Sequence, residues 1–147
     1  MALAVQTTPA EFDPGEVLRS LFSFVRADLD EYSRRLAAIE RFLHAKPTVN
    51  EVVATLGNDV RAHTAVPAAI YAFLSHHDSY ASTVTYAVQL GGDTDTIGPM
   101  AGAIAGALHG VEAIPANWRD KLENDGKGRD YVGELAVRLL GRHEWIT

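Results

Sequence analysis

The stretch Gly91-Gly92-Asp93-Thr94-Asp95-Thr96-Ile97-Gly98-Pro99-Met100 places two carboxylates and a threonine hydroxyl on a turn that opens into an apolar helix. The glycine pair can adopt backbone angles closed to other residues, so the chain can bend sharply there. Oxygen donors of this kind suit Mg²⁺, Mn²⁺ or Ca²⁺. The N-terminus of the following helix favours negative charge beside it. The turn is therefore a candidate corner for a metal ion and a phosphate.

Other interpretations of the same turn remain open. Asp95 or Thr96 could cap the helix, because both residue types are favoured at that position. An EF-hand loop is excluded, because Ile97 and Ile104 stand where that loop needs a polar ligand and a bidentate Glu. A solvated acidic turn is the third possibility. From spacing alone, a metal site and a structural turn are equally supported.

The helix after the turn carries a glycine at every fourth position, which are Gly98, Gly102, Gly106 and Gly110, with alanines between them. Glycine weakens a helix, so its recurrence on one face predicts close approach by another helix. This stripe indicates packing and not chemistry. A tightly packed helix would hold the acidic turn rigidly in place.

Every other periodic segment also indicates a helix, and no run alternates as a strand would, so the fold class is predicted to be all-α. We expect one compact helical unit over residues 1–147, with residues 1–12 flexible. Thr48 and Glu51 form a capping-box pattern, and Pro67 is assigned to a first helical turn. The predicted helices are 16–24, 26–44, 49–56, 68–76, one capped by Asp78 or Ser79 and ending at Leu90, one from Ile97, 115–122, and one from its cap Asp130 to 140.

Composition limits the possible functions. The chain has 147 residues, 47% of them apolar, and a net charge of −6 without a basic cluster, which argues against a nucleic-acid groove. The one adjacent basic pair, Arg34-Arg35, is expected on a solvated face. Cysteine is absent, so thiolate metal sites and cysteine nucleophiles are excluded. No secretion signal or membrane span is visible. We expect a soluble, cytoplasmic protein without membrane partners.

Several motifs together resemble the C-terminal signature of the ADP-ribosylglycohydrolase family, especially its ADP-ribosylhydrolase 3 branch. They occur in the order and spacing of that family. The motifs are Leu56-Gly57-Asn58, the segment 65–70, Gly91-Gly92-Asp93-Thr94-Asp95-Thr96, the segment 100–107, and Ile114-Pro115-Ala116-Asn117-Trp118.

The resemblance implies an all-helical enzyme that uses two Mg²⁺ ions, with Mn²⁺ as a substitute, to hydrolyse the glycosidic bond of ADP-ribose attached to a protein or related acceptor. Asp93, Asp95 and Thr96 correspond to metal ligands of the family. Gly57, Asn58 and Val60 match a loop on the adenosine side of the ligand. The implied partner is therefore an ADP-ribosylated substrate.

The resemblance covers only the C-terminal half of the family fold. The N-terminal half of family members carries a Thr-Asp-Asp metal motif, a catalytic Glu and a phosphate-binding glycine loop, and residues 1–90 show no counterpart of these. The catalytic residue of this chain is therefore unknown. Three hypotheses follow: half of an enzyme completed by a separate N-terminal polypeptide, a catalytically incomplete fragment with weak divalent binding, or a helical interaction domain.

Overall fold

The computed structural model describes residues 7–25 and 30–143, and every regular element in those two ranges is helical. This confirms the predicted all-α class. Our predictions for residues 1–6 and 26–29 fall outside the described ranges. The elements are α1 Pro14–Phe24, α2 Asp30–Ala45, α3 Val49–Leu56, α4 Ala62–Ser75, α5 Tyr80–Gln89, α6 Thr94–His109, a 3₁₀ turn Val111–Ala113, α7 Ala116–Arg119 and α8 Arg129–His143.

The contacts of the chain divide it into two compact units, residues 1–113 and 114–147. The first unit holds α1 to α6 and the hydrophobic core, to which Ile39, Leu56, Phe73 and Ile97 contribute fully buried side chains. The second unit holds α7 and α8. The expectation of a single folding unit over 1–147 stays a prediction. No helix in the described ranges is long and apolar enough to cross a membrane.

Helix α3 begins and ends where the sequence predicted. The hydroxyl of Thr48 accepts the backbone N–H of Glu51 at 3.3 Å, and the Glu51 carboxylate accepts the backbone N–H of Thr48 at 2.8 Å. These two reciprocal bonds satisfy donors that the first helical turn leaves free. At the other end, Gly57 adopts a φ of +81° and ends the helix.

Helix α4 begins at Ala62, six residues before the predicted start at Ala68. The prediction was wrong because it assigned Pro67 to the first turn, whereas Pro67 is the sixth residue of the helix and is buried. A proline at that position removes one hydrogen bond with the preceding turn. Burial of most of α4 in the core supplies the compensating stability.

Helices α5 and α6 pack together along Gly98, Gly102 and Gly106, as the sequence predicted, whereas a Cβ atom at Gly110, the C-cap of α6, would meet nothing within 4 Å. A Cβ atom at Gly102 would lie 3.3 Å from the hydroxyl of Tyr80 and 3.4 Å from a methyl carbon of Val84. Those distances leave little room for a larger residue. Helix α6 also packs against α4, so its N-terminal turn is fixed by two neighbours.

The structure also differs from, or decides between, our predictions for the N-terminal segment and for the caps of α5 and α8. Phe12 is buried against Phe73 and His77, so this residue of the segment 1–12 is packed and not flexible. Ser79, and not Asp78, caps α5 through a bond from the backbone N–H of Ser82. Asp130 was expected to cap the last helix, but α8 begins one residue earlier and Asp130 lies inside it.

Candidate metal and ligand site

The acidic turn adopts the sharp bend that its glycine pair allows. Gly91 and Gly92 have φ angles of +66° and +65°, in the left-handed region that favours glycine. Directly after them, the backbone N–H of Asp93 donates to the carbonyl oxygen of Asn58 at 2.8 Å. The turn is therefore bonded to the loop that follows α3.

Asn58 makes the second connection between these loops. Its side-chain amide donates to the carbonyl oxygen of Leu90 at 2.8 Å. A Cβ atom at Gly92 would lie only 2.1 Å from the Asn58 carbonyl oxygen, so no other residue fits there without displacing the backbone. The structure thus brings together two segments that the sequence assigned separately to metal and to substrate.

The loop after α3 is itself tightly held. A Cβ atom at Gly57 would lie 2.6 Å from a methyl carbon of Thr64, at a φ that already favours glycine. The side chain of Arg35 donates through Nε to the carbonyl oxygen of Leu56 at 3.0 Å, and it also pairs with Glu31. The expectation of a solvated Arg35 was wrong, because this bond satisfies a carbonyl at the end of α3.

Asp59 is a residue that the sequence analysis missed. Its carboxylate accepts hydrogen bonds from the Arg61 side chain at 2.9 Å and 2.5 Å, from the Arg61 backbone N–H at 3.0 Å, and from the Thr64 hydroxyl at 2.7 Å. These bonds, those from Arg61 first, hold the pKa of Asp59 well below its ordinary value. An Asp two residues before the first helical turn is a recognisable signal. It was overlooked because α4 was predicted to begin later.

The side chains of Asp93, Asp95 and Thr96 differ from Asp59 in having no hydrogen-bond or ion-pair partner within residues 7–25 and 30–143. Asp93 is half-buried, and Asp95 and Thr96 are exposed. Helix α6 begins at Thr94, three residues before the predicted start, so Asp95 and Thr96 lie inside its first turn. The capping alternative was therefore wrong, and Asp93 occupies the N-cap position without a side-chain bond.

The backbone adds further polar groups at the same place. At the start of α6, the N–H groups of Thr94, Thr96 and Ile97 donate to backbone carbonyls of Gly92 and Asp93. The N–H of Asp95 has no such partner in the described ranges, and the helix dipole places partial positive charge there. Pro99 is the sixth residue of α6 and has no N–H, so the carbonyl of Asp95 lacks its usual donor one turn later. Donors and acceptors thus both occur beside the two carboxylates.

The donor set fits a hard divalent cation in kind. Asp93, Asp95 and Thr96 offer only oxygen, which Mg²⁺ prefers, and no internal bond occupies those oxygens. The set is incomplete in number, because Mg²⁺ takes about six ligands. In the described ranges, no three His, Cys, Asp or Glu side chains converge in a metal-binding group. A complete site would need ligands from water, substrate or another polypeptide.

Val60 lies at the exposed tip of the Asn58 loop, with 78% of its surface accessible. An apolar side chain so exposed is available to a ligand or a partner surface. Of the three residues assigned to substrate, Gly57 and Asn58 are fixed by contacts within the chain. Val60 is the one whose side chain is free to contact something else.

A cleft of about 760 Å³ opens elsewhere in the first unit, and His76, Tyr71 and Tyr86 are among its lining residues. His76 is the C-cap of α4, whereas the Asn58 loop precedes the N-terminus of that helix. A 14-residue helix is roughly 20 Å long. None of the residues predicted for the metal or the substrate lines this cleft, so it is described separately from the candidate site.

The all-helical fold agrees with a comparison to protein families. The family model for ADP-ribosylglycohydrolase matches residues 1–146. The chain belongs to the ADP-ribosylglycohydrolase family, which confirms the resemblance seen in the sequence.

Individual relatives sharpen this assignment. ADP-ribosylhydrolase ARH3 of Homo sapiens is 45% identical over 103 residues, which cover 63% of this chain and 28% of the human protein. An uncharacterized protein of Archaeoglobus fulgidus is 32% identical over 149 residues, covering 100% of this chain and 45% of the archaeal protein. The ADP-ribosyl-[dinitrogen reductase] glycohydrolase of Rhodospirillum rubrum is 46% identical over 46 residues, or 31% of this chain and 16% of that protein. The chain thus spans less than half the length of these relatives.

Proposed function

We propose that this chain supplies the C-terminal half of a magnesium-dependent hydrolase that cleaves the glycosidic bond of ADP-ribose attached to proteins or related acceptors. Asp93, Asp95 and Thr96 would hold the cation, and Mn²⁺ could replace Mg²⁺. The remaining ligands and the proton-transfer group would come from the N-terminal half of the family fold. Because the chain contains no cysteine, a reducing cytoplasm is a suitable compartment.

One observation carries this proposal: two carboxylates and a hydroxyl without internal partners lie on a turn that two glycines and the Asn58 backbone hold rigidly. Carboxylates that only stabilised the turn would accept its N–H groups, as Asp59 does in the neighbouring loop. Oxygens without internal bonds on a fixed backbone instead suit binding of a ligand.

Each residue has a role that follows from its position. Asp93, Asp95 and Thr96 present oxygen to a cation, which when bound would orient the ribose hydroxyls and water and offset developing negative charge. Asn58 keeps the turn at the ligand loop through its two bonds. Val60 extends from that loop and would contact the adenosine side of the ligand. The proton-transfer group is unknown in this chain and is assigned to the N-terminal half of the family fold.

A second candidate function is a catalytically incomplete helical domain that binds divalent ions weakly. Three protein oxygens are too few for a tight Mg²⁺ site, which favours this behaviour for the chain by itself. The two proposals differ in what a second polypeptide does. Turnover requires the second half, whereas metal binding by the turn does not.

Metal binding is tested by thermal unfolding with and without Mg²⁺. At a free concentration about ten times the Kd, binding to the folded state adds about 1.4 kcal/mol and raises Tm by roughly 3–5 °C. We expect this shift in the wild-type chain and its loss in Asp95→Ala. Asp78→Ala, which removes an exposed carboxylate beyond the far end of α4, is the charge-matched control and should keep the shift. Equal responses in all three proteins would disprove the site.

Hydrolysis is tested with a chimera in which this chain replaces the matched region of human ADP-ribosylhydrolase ARH3. We expect the folded chimera to release ADP-ribose from ADP-ribosylated protein in the presence of Mg²⁺, and the same chimera with Asp95→Ala to lose at least about a hundredfold in rate. A folded chimera without activity would favour the incomplete domain. Activity that survives Asp95→Ala would remove the metal-ligand role.

A further inference from the structure

The cleft at the C-terminal end of α4 has aromatic walls that are partly open to water. Tyr71 and Tyr86 are buried, Phe22 and Phe42 are half-buried, and all four side chains line the cleft. Aromatic surface on a concave wall marks a place where a ligand can replace water. The volume of about 760 Å³ falls in the range of small-molecule sites in proteins.

The rings of the cleft pack in arrangements that aromatic groups prefer. Phe42 and Tyr71 meet edge to face with ring centroids 5.7 Å apart, and Tyr71 and Tyr86 do so at 6.0 Å. The imidazole of His76 stacks on the ring of Tyr86, with centroids 3.9 Å apart and planes 18° from parallel. The four rings form a connected aromatic cluster, against which a further flat ring can pack.

The hydrogen bonds of Ser75 decide which nitrogen of His76 carries the proton. The Ser75 hydroxyl lies 2.6 Å from the carbonyl oxygen of Tyr71 and 2.8 Å from Nδ1 of His76. Because a carbonyl oxygen cannot donate, the hydroxyl proton goes to Tyr71. Nδ1 must then donate its own proton to the Ser75 oxygen, and in the neutral ring Nε2 is left as an acceptor.

Nε2 of His76 is available to a ligand. It has no hydrogen-bond partner within residues 7–25 and 30–143. No buried polar side-chain atom in those ranges lacks a partner, so Nε2 must be accessible to solvent. Partial burial of the ring lowers the pKa of His76 below its ordinary value, so the ring is neutral at pH 7.5. An accessible acceptor therefore lies among aromatic side chains.

The rim of the cleft does not favour a ligand of either charge. Its fully charged side chains are two of each sign, the exposed Arg19 and Lys46 and the exposed Asp13 and Glu40. Asp13 and Arg19 already lie 3.6 Å apart as an ion pair. An anion or a cation would meet a like charge at this rim, whereas an uncharged ring gains from burial without that cost.

We propose that this cleft binds a small, uncharged aromatic molecule that carries an N–H or O–H donor, such as an indole or a phenol, with the donor bonded to Nε2 of His76. The ring of the ligand would pack against the aromatic cluster, and its donor would satisfy the one polar atom that the cluster presents without a partner in the described ranges. This site shares no residue with the acidic turn and does not depend on metal or on hydrolysis.

Calorimetric titration at pH 7.5 with indole and with 1-methylindole tests the hydrogen bond. The two ligands have the same ring system, but only indole has an N–H. We expect the wild-type chain to bind indole with a Kd below about 1 mM and 1-methylindole at least about tenfold more weakly, because the acceptor then loses its partner. In His76→Phe, which keeps a ring beside Tyr86 but has no acceptor, the two Kd values should agree within about threefold.

His63→Phe is the matched control. His63 is half-buried in the first turn of α4 and does not line the cleft. This variant should keep the full preference for indole. Because the two ligands are compared on the same folded protein, a loss of stability in either variant does not enter the ratio of Kd values.

The tautomer of His76 is tested by NMR of the imidazole nitrogens. We expect a proton on Nδ1 at pH 7.5, and a shift of the Nε2 resonance when indole is added.

Three results would overturn the proposal: no binding of indole at millimolar concentration, a preference for indole that is unchanged in His76→Phe, or a proton on Nε2 of His76 in the free protein. None of these measurements involves Mg²⁺ or ADP-ribose. Failure here would therefore leave the metal and hydrolase proposals intact, and their failure would leave these results unchanged.

Discussion

Two neighbouring loops of this protein use the same residue type in opposite ways. In the loop before α4, the carboxylate of Asp59 accepts hydrogen bonds from Arg61 and Thr64. At the start of α6, the carboxylates of Asp93 and Asp95 form no hydrogen bond or ion pair with a described residue. The two loops touch through the backbone, since Asp93 donates to the carbonyl of Asn58.

The difference separates a structural carboxylate from one available to a ligand. A carboxylate that accepts several hydrogen bonds stabilises its own loop and has little left to offer. One without partners at a helix N-terminus contributes little to folding beyond the dipole interaction. The Asp59 loop is thus held by its own hydrogen bonds. The acidic turn, which is bonded to that loop, presents carboxylate oxygens that no described residue binds.

The largest expected effect comes from separating the two loops. Gly92→Ala would place Cβ 2.1 Å from the Asn58 carbonyl oxygen at a φ of +65°. Left-handed strain and displacement of backbone together should cost roughly 3 kcal/mol of unfolding free energy. Denaturant unfolding measures this loss, and we expect the Mg²⁺ response to disappear with it.

Gly91→Ala is the matched control for that experiment. Its φ is nearly the same, at +66°, but the nearest atom to its Cβ would be the Asn58 side-chain nitrogen at 3.8 Å. It should therefore cost only the left-handed strain, about 1 kcal/mol. If both variants lost the same stability, the contact between the two loops would not be what holds the turn.

A smaller loss of stability is expected when Asp59 is substituted, and this loss should depend on pH. Its pKa is lowered in the folded state, so the stability it gives is present above the unfolded pKa of about 3.9 and is lost as pH falls toward the folded value. Asp59→Asn should be less stable than wild type at pH 7, and the two proteins should converge as pH falls below about 4. Denaturant unfolding between pH 2.5 and 7 checks this.

The control is Asp78→Asn, which removes an exposed carboxylate without disturbing the bonds of Arg61 and Thr64. It should follow the wild-type pH profile. A profile of Asp59→Asn that runs parallel to wild type across the acid range would contradict a structural role for the Asp59 carboxylate.

Local sequence rules predicted what is decided locally. The capping box of Thr48 and Glu51 predicted the start of α3 and Gly57 predicted its end, because both signals act within a few residues. The same rules failed at α4, where Pro67 suggested a first turn although burial of the helix allowed it six residues in. They failed at α6 because Asp93 takes the N-cap position without a side-chain bond.

The same distinction applies to the candidate site, where local features could be predicted and contacts between distant residues could not. The glycine pair and the acidic residues of the turn were identifiable from their types and spacing. The bond from Asp93 to Asn58 was not, because it joins residues 35 positions apart through backbone atoms that carry no sequence signal. Arg35 was missed for a related reason, because it binds the carbonyl of Leu56, which only the fold brings near. Asp59 bonds to its near neighbours Arg61 and Thr64, and it was missed because α4 was predicted to begin later.

The smallest expected change in unfolding free energy is that of Asp95→Ala, and it gives the most direct comparison with Asp59. In EDTA, Asp95→Ala removes a favourable dipole interaction of about 0.3–1 kcal/mol but gains about 0.5 kcal/mol of helix propensity, so the two contributions nearly cancel. The variant should therefore unfold within about 0.5 kcal/mol of wild type, as measured in denaturant at pH 7. A large loss of stability would mean that the Asp95 carboxylate holds the metal-free turn together, which would make it a structural group like Asp59 and remove the distinction between the two loops.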